Sequence, residues 1–372
     1  MGRIRPKYRV SYLLIGLVVL IGVALVALTH FDASLYQQPV ATVTKVQDYD
    51  RVKTSDEFNN QDVLTKQKLT LKVLNGDHRG ETYRLQNEFS KTGAADQKYR
   101  TGQQVFLHIS PHKHNSNNVL ITGFKRDTSV VFLVWLTVCL LLLILKYRGS
   151  MALLSLVVNA LLFFVAVQID VQTNFNPFLL FAILSIIFTV ITALLIFGKS
   201  KETLVAVLAT ILGTFSAILI AYVVMNLTHQ KGMSFEMMDY VTQQRLPLFF
   251  AGSMIGSLGA IMDLSADITS SLFAVNREEP TLTFWQLFAD ARKIGRSIMG
   301  PLINVLFLIF VASTFPMMVL FLKNGNSWGY SYSMIMSLGV VQSLISGIGI
   351  ALTVPITGLL AGAICKTKVV KK

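Results

Sequence analysis

The sequence predicts an all-α polytopic membrane bundle of about eight transmembrane helices, with a small extracellular β-barrel-like domain inserted between helices one and two. Three observations carry that expectation. Apolar runs recur along the chain, and only a helix satisfies its own backbone in lipid, needing roughly 20 apolar residues to cross. Of 372 residues, 53% are hydrophobic and only 14% charged, which excludes a water-soluble globule. Between the first and second runs the apolar residues alternate, which is the period of a strand.

Arg3, Arg5, Lys7 and Arg9 precede the first apolar run, so residues 1–28 read as a basic cytoplasmic tail and an anchor helix over 11–28. A cleaved signal peptide is the other reading of a basic stretch before an apolar core. No small-x-small cleavage site follows at Leu28, Thr29 and His30, which favours a retained anchor.

Residues 29–128 read as an extracellular β-rich domain. Alternation is clearest at Leu69, Leu71 and Val73 and at Val105, Leu107 and Ile109, with a third stretch at Val119, Leu120 and Ile121. Turn signals at Asn75-Gly76-Asp77, His78-Arg79-Gly80 and Lys91-Thr92-Gly93 separate the strands. A domain of this size with short strands usually closes into a small barrel or a sandwich, so an OB-like barrel is expected. Its role could be ligand binding, spacing or docking of an envelope partner. The only cysteines, Cys139 and Cys365, lie elsewhere, so the domain must be held by a packed core and not by a disulfide.

Inside that domain His108, His112 and His114 fall close together, and extended backbone puts His112 and His114 on one side. A divalent metal could use such a cluster. The histidines run directly into the polar string from Asn115 to Asn118, however, and a solvated loop is the favoured reading, with no metal site assigned.

Residues 129–365 read as a seven-helix membrane domain, with crossings over 129–145, 151–168, 177–198, 203–225, 246–263 or beyond, 298–322 and 334–365, followed by a basic tail, 366–372. Lys146, Arg148, Lys199, Lys201, Arg277, Arg292, Lys293, Arg296, Lys366 and Lys368 fall in alternate connections on the side of the N-terminus, while the opposite short loops hold only Lys231, Arg245 and Lys323. That asymmetry predicts both termini in the cytoplasm and residues 29–128 outside. The net charge of +13 therefore reads as topology, and nucleic acid is not an expected partner.

The sixth crossing carries the richest chemistry. Gly252, Gly256 and Gly259 would let another helix approach closely, and simple packing accounts for them. It does not account for Asp263, Asp267 and Ser270, which share one helical face. A charge at the bilayer centre costs about 2.5 to 3.5 kcal/mol on insertion scales, so such groups should face water or a partner. Counting from Leu246 at about 1.5 Å per residue puts Asp263 roughly 26 Å along, near the far edge of the bilayer. Cytoplasmic headgroups and a bundle interior both remain open.

After it, Thr283 and Gln286 form a capping box and Gly295 suits a stop, which predicts an amphipathic helix near 283–295 on the cytoplasmic surface. Arg296 follows as the natural counter-charge to Asp263 or Asp267, with Asn304 near the same face. In the last crossing Pro355 removes one backbone bond among several glycines, and broken helices commonly line transporter pathways, although plain bundles also kink.

These residues resemble the YibE/F family of bacterial membrane proteins, through Gly259, Ala260 and Asp263, Ser270, the run Ile294-Gly295-Arg296, then Ile298, Met299, Gly300 and Asn304, with Ala351, Pro355 and Thr357 in the last crossing. The resemblance spans roughly 129–363, and the N-terminal ectodomain is similar to the YibE-type arrangement. It implies a multi-pass protein of the bacterial cell membrane, a permease without a defined substrate, and as partners the lipid bilayer and a second YibE/F-type subunit or another copy of the chain. Two departures stand out: Asp267 replaces a small or hydroxyl residue, and Ser297 replaces an acidic one. The expectation is that the two positions face each other across a polar cluster with Arg296.

No HExxH, phosphate-binding glycine loop or metal-spaced cysteine pair occurs, so neither an enzyme nor a cofactor is expected. The expected function is a permease or exporter subunit with a polar pathway at Asp263, Asp267, Ser270, Arg296, Asn304 and Pro355. The competing class is a non-transporting scaffold or sensor whose β domain docks an envelope partner. A water-reachable cavity at those residues favours the first, and a fully packed bundle the second.

Overall fold

The computed structural model describes residues 12–55, 61–93, 96–110, 119–145, 147–173, 175–238 and 244–366. The chain divides into two compact units, Met1–Lys146 and Tyr147–Lys372.

The first unit holds α1 (Tyr12–Phe31), β1 (Val40–Ser55), β2 (Gln61–Val73), β3 (Thr82–Ser90), β4 (Gln104–Ile109), β5 (Val119–Phe124) and α2 (Asp127–Leu145). The strands form one antiparallel sheet in the order β3-β2-β1-β4-β5. Alternation built its core as expected: Ala41, Val43, Leu69, Leu71, Val73, Val105, Leu107 and Val119 bury one face together with Tyr99.

The sheet is open, which corrects the barrel expectation. β1 pairs with β2 from Ala41 to Ser55 but with β4 only from Val40 to Thr42. Its outer length and β2 therefore project as a two-stranded ribbon, bent by irregularities at Val43/Lys45 and Tyr49/Arg51, and no pairing joins β3 to β5 among the described residues. The glycine turns behave as read: Gly80 takes φ +91 and closes the β2–β3 turn by donating to the Val73 carbonyl at 2.9 Å.

Polar anchors inside the unit complete it. Buried Asn75 accepts from the Val40 N–H at 2.6 Å and donates to the Tyr36 and Gln38 carbonyls. Fully buried Gln67 bonds both backbone groups of Tyr99 and the side chains of Asp48 and Asn87. Between the sheet and its two helices, the ammonium of Lys125, 1% exposed, meets Asp32 and Asp127 at 2.8 Å each and donates to the Thr29 carbonyl. Tyr36 adds a 2.6 Å bond to Asp127. Helices α1 and α2 cross closely at Gly22, where a Cβ would lie 2.0 Å from Trp135.

The second unit comprises α3 (Tyr147–Thr173), α4 (Pro177–Phe197), α5 (Lys201–Leu227), α6 (Arg245–Glu278), α7 (Phe284–Lys323), the single turn α8 (Trp328–Ser331) and α9 (Ser337–Lys366). Caps set several starts: Asn176 and Ser200 accept from Phe178 and Thr203 backbone N–H groups, and Thr283 forms its capping box with Gln286. Among the described residues eight helices, α1 and α2 included, are long and apolar enough to cross a membrane.

Two local expectations change. Gly295 does not end a surface helix, because α7 runs unbroken through it for 40 residues. The glycine is there for contact: a Cβ would stand 2.4 Å from Val354 of α9. Nor does Pro355 break α9, which continues helical past it. The irregular turn lies earlier, a π-helical stretch at Tyr332–Met336.

The core of this unit lies between α5, α6, α7 and α9, where Ile261, Leu264, Ile268, Leu272, Leu287 and Ile350 are fully buried. At Gly213 a Cβ would lie 2.2 Å from the Thr353 hydroxyl, so α5 and α9 meet almost backbone to side chain.

Candidate functional site

Helix α6 has two unlike sides. Met254, Ile261, Leu264, Ile268 and Leu272 are buried at 0% exposure, while Gly252, Gly256, Gly259, Asp263, Asp267 and Ser270 form an exposed strip on the other side. Three- and four-residue spacing places that strip on one face, so the carboxylates extend a row of glycines.

Asp263 opens on a cavity of 310 Å³ between α3, α4 and α6, lined also by Asn159, Thr192, Phe188, Phe197, Gly259 and Met262 among others. Thr192 is the polar hub of its wall. It accepts from Asn159 Nδ2 at 2.8 Å and lies 2.9 Å from the donating hydroxyl of Ser155. The Asn159 Oδ1 atom is buried and has no hydrogen-bond partner among the described residues.

Neighbouring helices fix the level of this site. Ser265 Oγ lies 2.7 Å from Thr210 Oγ1 of α5, and Arg277 reaches Glu202 at the start of α5 at 3.5 Å. At about 1.5 Å per residue, Thr210 is about 14 Å along α5 from Lys201, and Asp263 is one short step further. Helix α6 has 34 residues and continues to Glu278, so Asp263 stands near its middle.

The remaining candidates disperse. No ion pair within 4.0 Å joins Arg296 to Asp263 or Asp267 among the described residues. Arg296 and Asn304 are exposed on α7, and the Ser297 hydroxyl bonds back to the Ile294 carbonyl at 2.7 Å instead of reaching Asp267. Ser270 likewise bonds the Asp267 carbonyl at 3.1 Å, and Pro355 sits half-buried inside α9. His108 is exposed on β4, while His112 and His114 lie outside the described residues.

Asn159, Ser155 and Thr192 were missed by the sequence reading. One signal was available, since Asn159 is the lone amide in the middle of an otherwise apolar run on α3.

No curated protein and no solved structure matches the chain. A family model described as YibE/F-like protein matches residues 133–367, and a second, described as YibE/F family N-terminal domain, matches residues 34–124. Together they cover nearly all of the chain. The glycine and aspartate strip of α6 lies inside the first match and the open sheet inside the second, and the chain belongs to the YibE/F family.

Proposed function

We propose that this multi-pass membrane protein is a permease or exporter subunit whose pathway runs along the exposed face of α6 toward α3 and α4. The observation that carries the reading is the cavity onto which Asp263 opens. A packed bundle that only anchors helices has no need of a carboxylate facing an open space, since an unpaired intramembrane charge is costly.

In this reading Lys199 and Lys201 mark the cytoplasmic edge, and the level of Thr210 supports a depth for Asp263 of about half a core of roughly 30 Å. Phe197, in the last turn of α4, also lines the cavity and supplies its cytoplasmic approach. In this reading the protein sits in the cell membrane with both termini inside and residues 29–128 outside, following the distribution of basic residues. It acts by passage and not by catalysis, together with a second family subunit or another copy of itself.

The test is flux in vesicles reconstituted with the full chain, using a panel of inorganic and organic ions. Asp263→Asn should lower the flux of the transported ion at least about tenfold, the effect of losing one charge interaction of about 1.4 kcal/mol. Equal flux through wild type and variant removes Asp263 from the mechanism and favours the scaffold.

A further inference from the structure

We infer that the cavity beside Asp263 binds a small organic monocation, an ammonium group on a compact apolar body, with Asp263 as its counter-charge. The inference rests on the permease reading and narrows it to a ligand class. Four features of the cavity point there.

One carboxylate lines it and is uncompensated, while Asp267, one turn along the same strip, stands outside the lining. Asp263 lines the space, and no lysine, arginine or histidine forms an ion pair with it among the described residues. An unpaired carboxylate on a membrane-spanning helix calls for a cation, and no described side chain supplies one.

Its other polar groups are neutral. The Thr192 hydroxyl accepts from Asn159 and Ser155, and Asn159 Oδ1 is buried without a partner among the described residues. One carboxylate with neutral oxygens matches one positive charge. A divalent ion is poorly served, since no group of three metal-binding side chains exists among the described residues.

The rest of the wall is apolar and partly aromatic, with Phe188, Phe197 and Met262 among its residues. Aromatic faces attract ammonium groups, most strongly where water is excluded, and methionine adapts to irregular apolar shapes. A bare inorganic ion would gain little from such walls.

Size agrees with that. At 310 Å³ the cavity is far larger than a dehydrated ion and sits at the lower end of small-molecule pockets, which start at about 300 Å³. Gly259 contributes to the room, because a Cβ there would meet nothing within 4 Å.

The experiment is equilibrium binding of radiolabelled benzyltrimethylammonium to the full chain in lipid nanodiscs, with empty nanodiscs subtracted. The competitors are its uncharged carbon isostere, neopentylbenzene, and sodium chloride. Wild-type protein should bind the cation saturably, and neopentylbenzene should compete at least about tenfold more weakly. Asp263→Asn, folded as judged by its thermal midpoint, should lose at least about tenfold in affinity for the cation alone. Equal competition by the isostere, unchanged affinity in the variant, or displacement by sodium as effective as by unlabelled cation each overturns the inference. The same preparations are then sealed into vesicles for flux. Asp263-dependent flux of inorganic ions without cation binding leaves the permease reading standing and removes this one; cation binding without any flux does the reverse.

Discussion

At Gly213 a single missing methyl group decides how closely two helices meet. A Cβ would stand 2.2 Å from Thr353 Oγ1, whose hydroxyl is already bonded to the Gly349 carbonyl at 2.7 Å. Gly213→Ala should therefore destabilise the second unit by about 1 to 3 kcal/mol, the usual cost of overpacking. The thermal midpoint in detergent checks this, with Gly259→Ala, placed in open space, as the comparison that should leave it unchanged.

Tyr36 gives a pH-dependent counterpart in the first unit. Its hydrogen bond to Asp127, with burial adding to it, pushes the phenol from its ordinary 10.0 up to about 12. Lys125 is shifted upward as well: burial opposes its charge, but its bonds to Asp127 and Asp32 outweigh that. Both folded values exceed the unfolded ones, so their contribution is full below about pH 10 and fades as pH rises toward 12. Tyr36→Phe should remove the tyrosine part of that alkaline loss, read by spectrophotometric titration alongside unfolding. An identical alkaline profile in wild type and variant contradicts the assignment.

At this scale the sequence was legible where a residue's cost is absolute. A carboxylate within an apolar run announces itself, and Asp263 was readable for that reason. Asn159 gave only the signal of one amide within an apolar run, and Thr192 gave none, because groups on two separate helices carry no spacing and hydroxyls usually bond their own helix. Arg296 was expected as the counter-charge on proximity in sequence, and it forms no such pair.

Elements were legible in proportion to how strongly their period constrains them. The apolar runs became long helices, since crossing length is fixed by the bilayer, but α6 extends to Glu278 and α7 starts at Phe284, well outside the expected 246–263 and 298–322. Strand alternation located β2, β4 and β5, but alternation reports faces and not edges, so closure could not be read from it. Gly295 misled for a related reason: a glycine that ends a helix and one that lets Val354 approach look alike in sequence.

The sheet offers its own test through Gln67, which ties β2 to Tyr99, Asp48 and Asn87. Gln67→Leu keeps the volume roughly but leaves the Tyr99 N–H unsatisfied, at about 1 to 3 kcal/mol. Hydrogen exchange should accelerate in β2, β3 and residues 96–104 while α3 to α9 stay unchanged. Uniform protection in the variant would show that the network contributes nothing.

For the whole molecule, the central claim is that α3, α4 and α6 enclose a space that water reaches from one side of the membrane and that Asp263 faces. Thiol labelling reads this directly, because only a hydrated thiol ionises and reacts. In a background with Cys139 and Cys365 replaced by alanine, Gly259→Cys lines the cavity without steric conflict, and Leu212→Cys, exposed at 46% on α5 and outside the cavity lining, faces lipid in this account. A membrane-impermeant maleimide added to sealed vesicles should label Gly259→Cys from the cytoplasmic side and leave Leu212→Cys unmodified. Labelling of Gly259→Cys no faster than Leu212→Cys from either side would contradict the account.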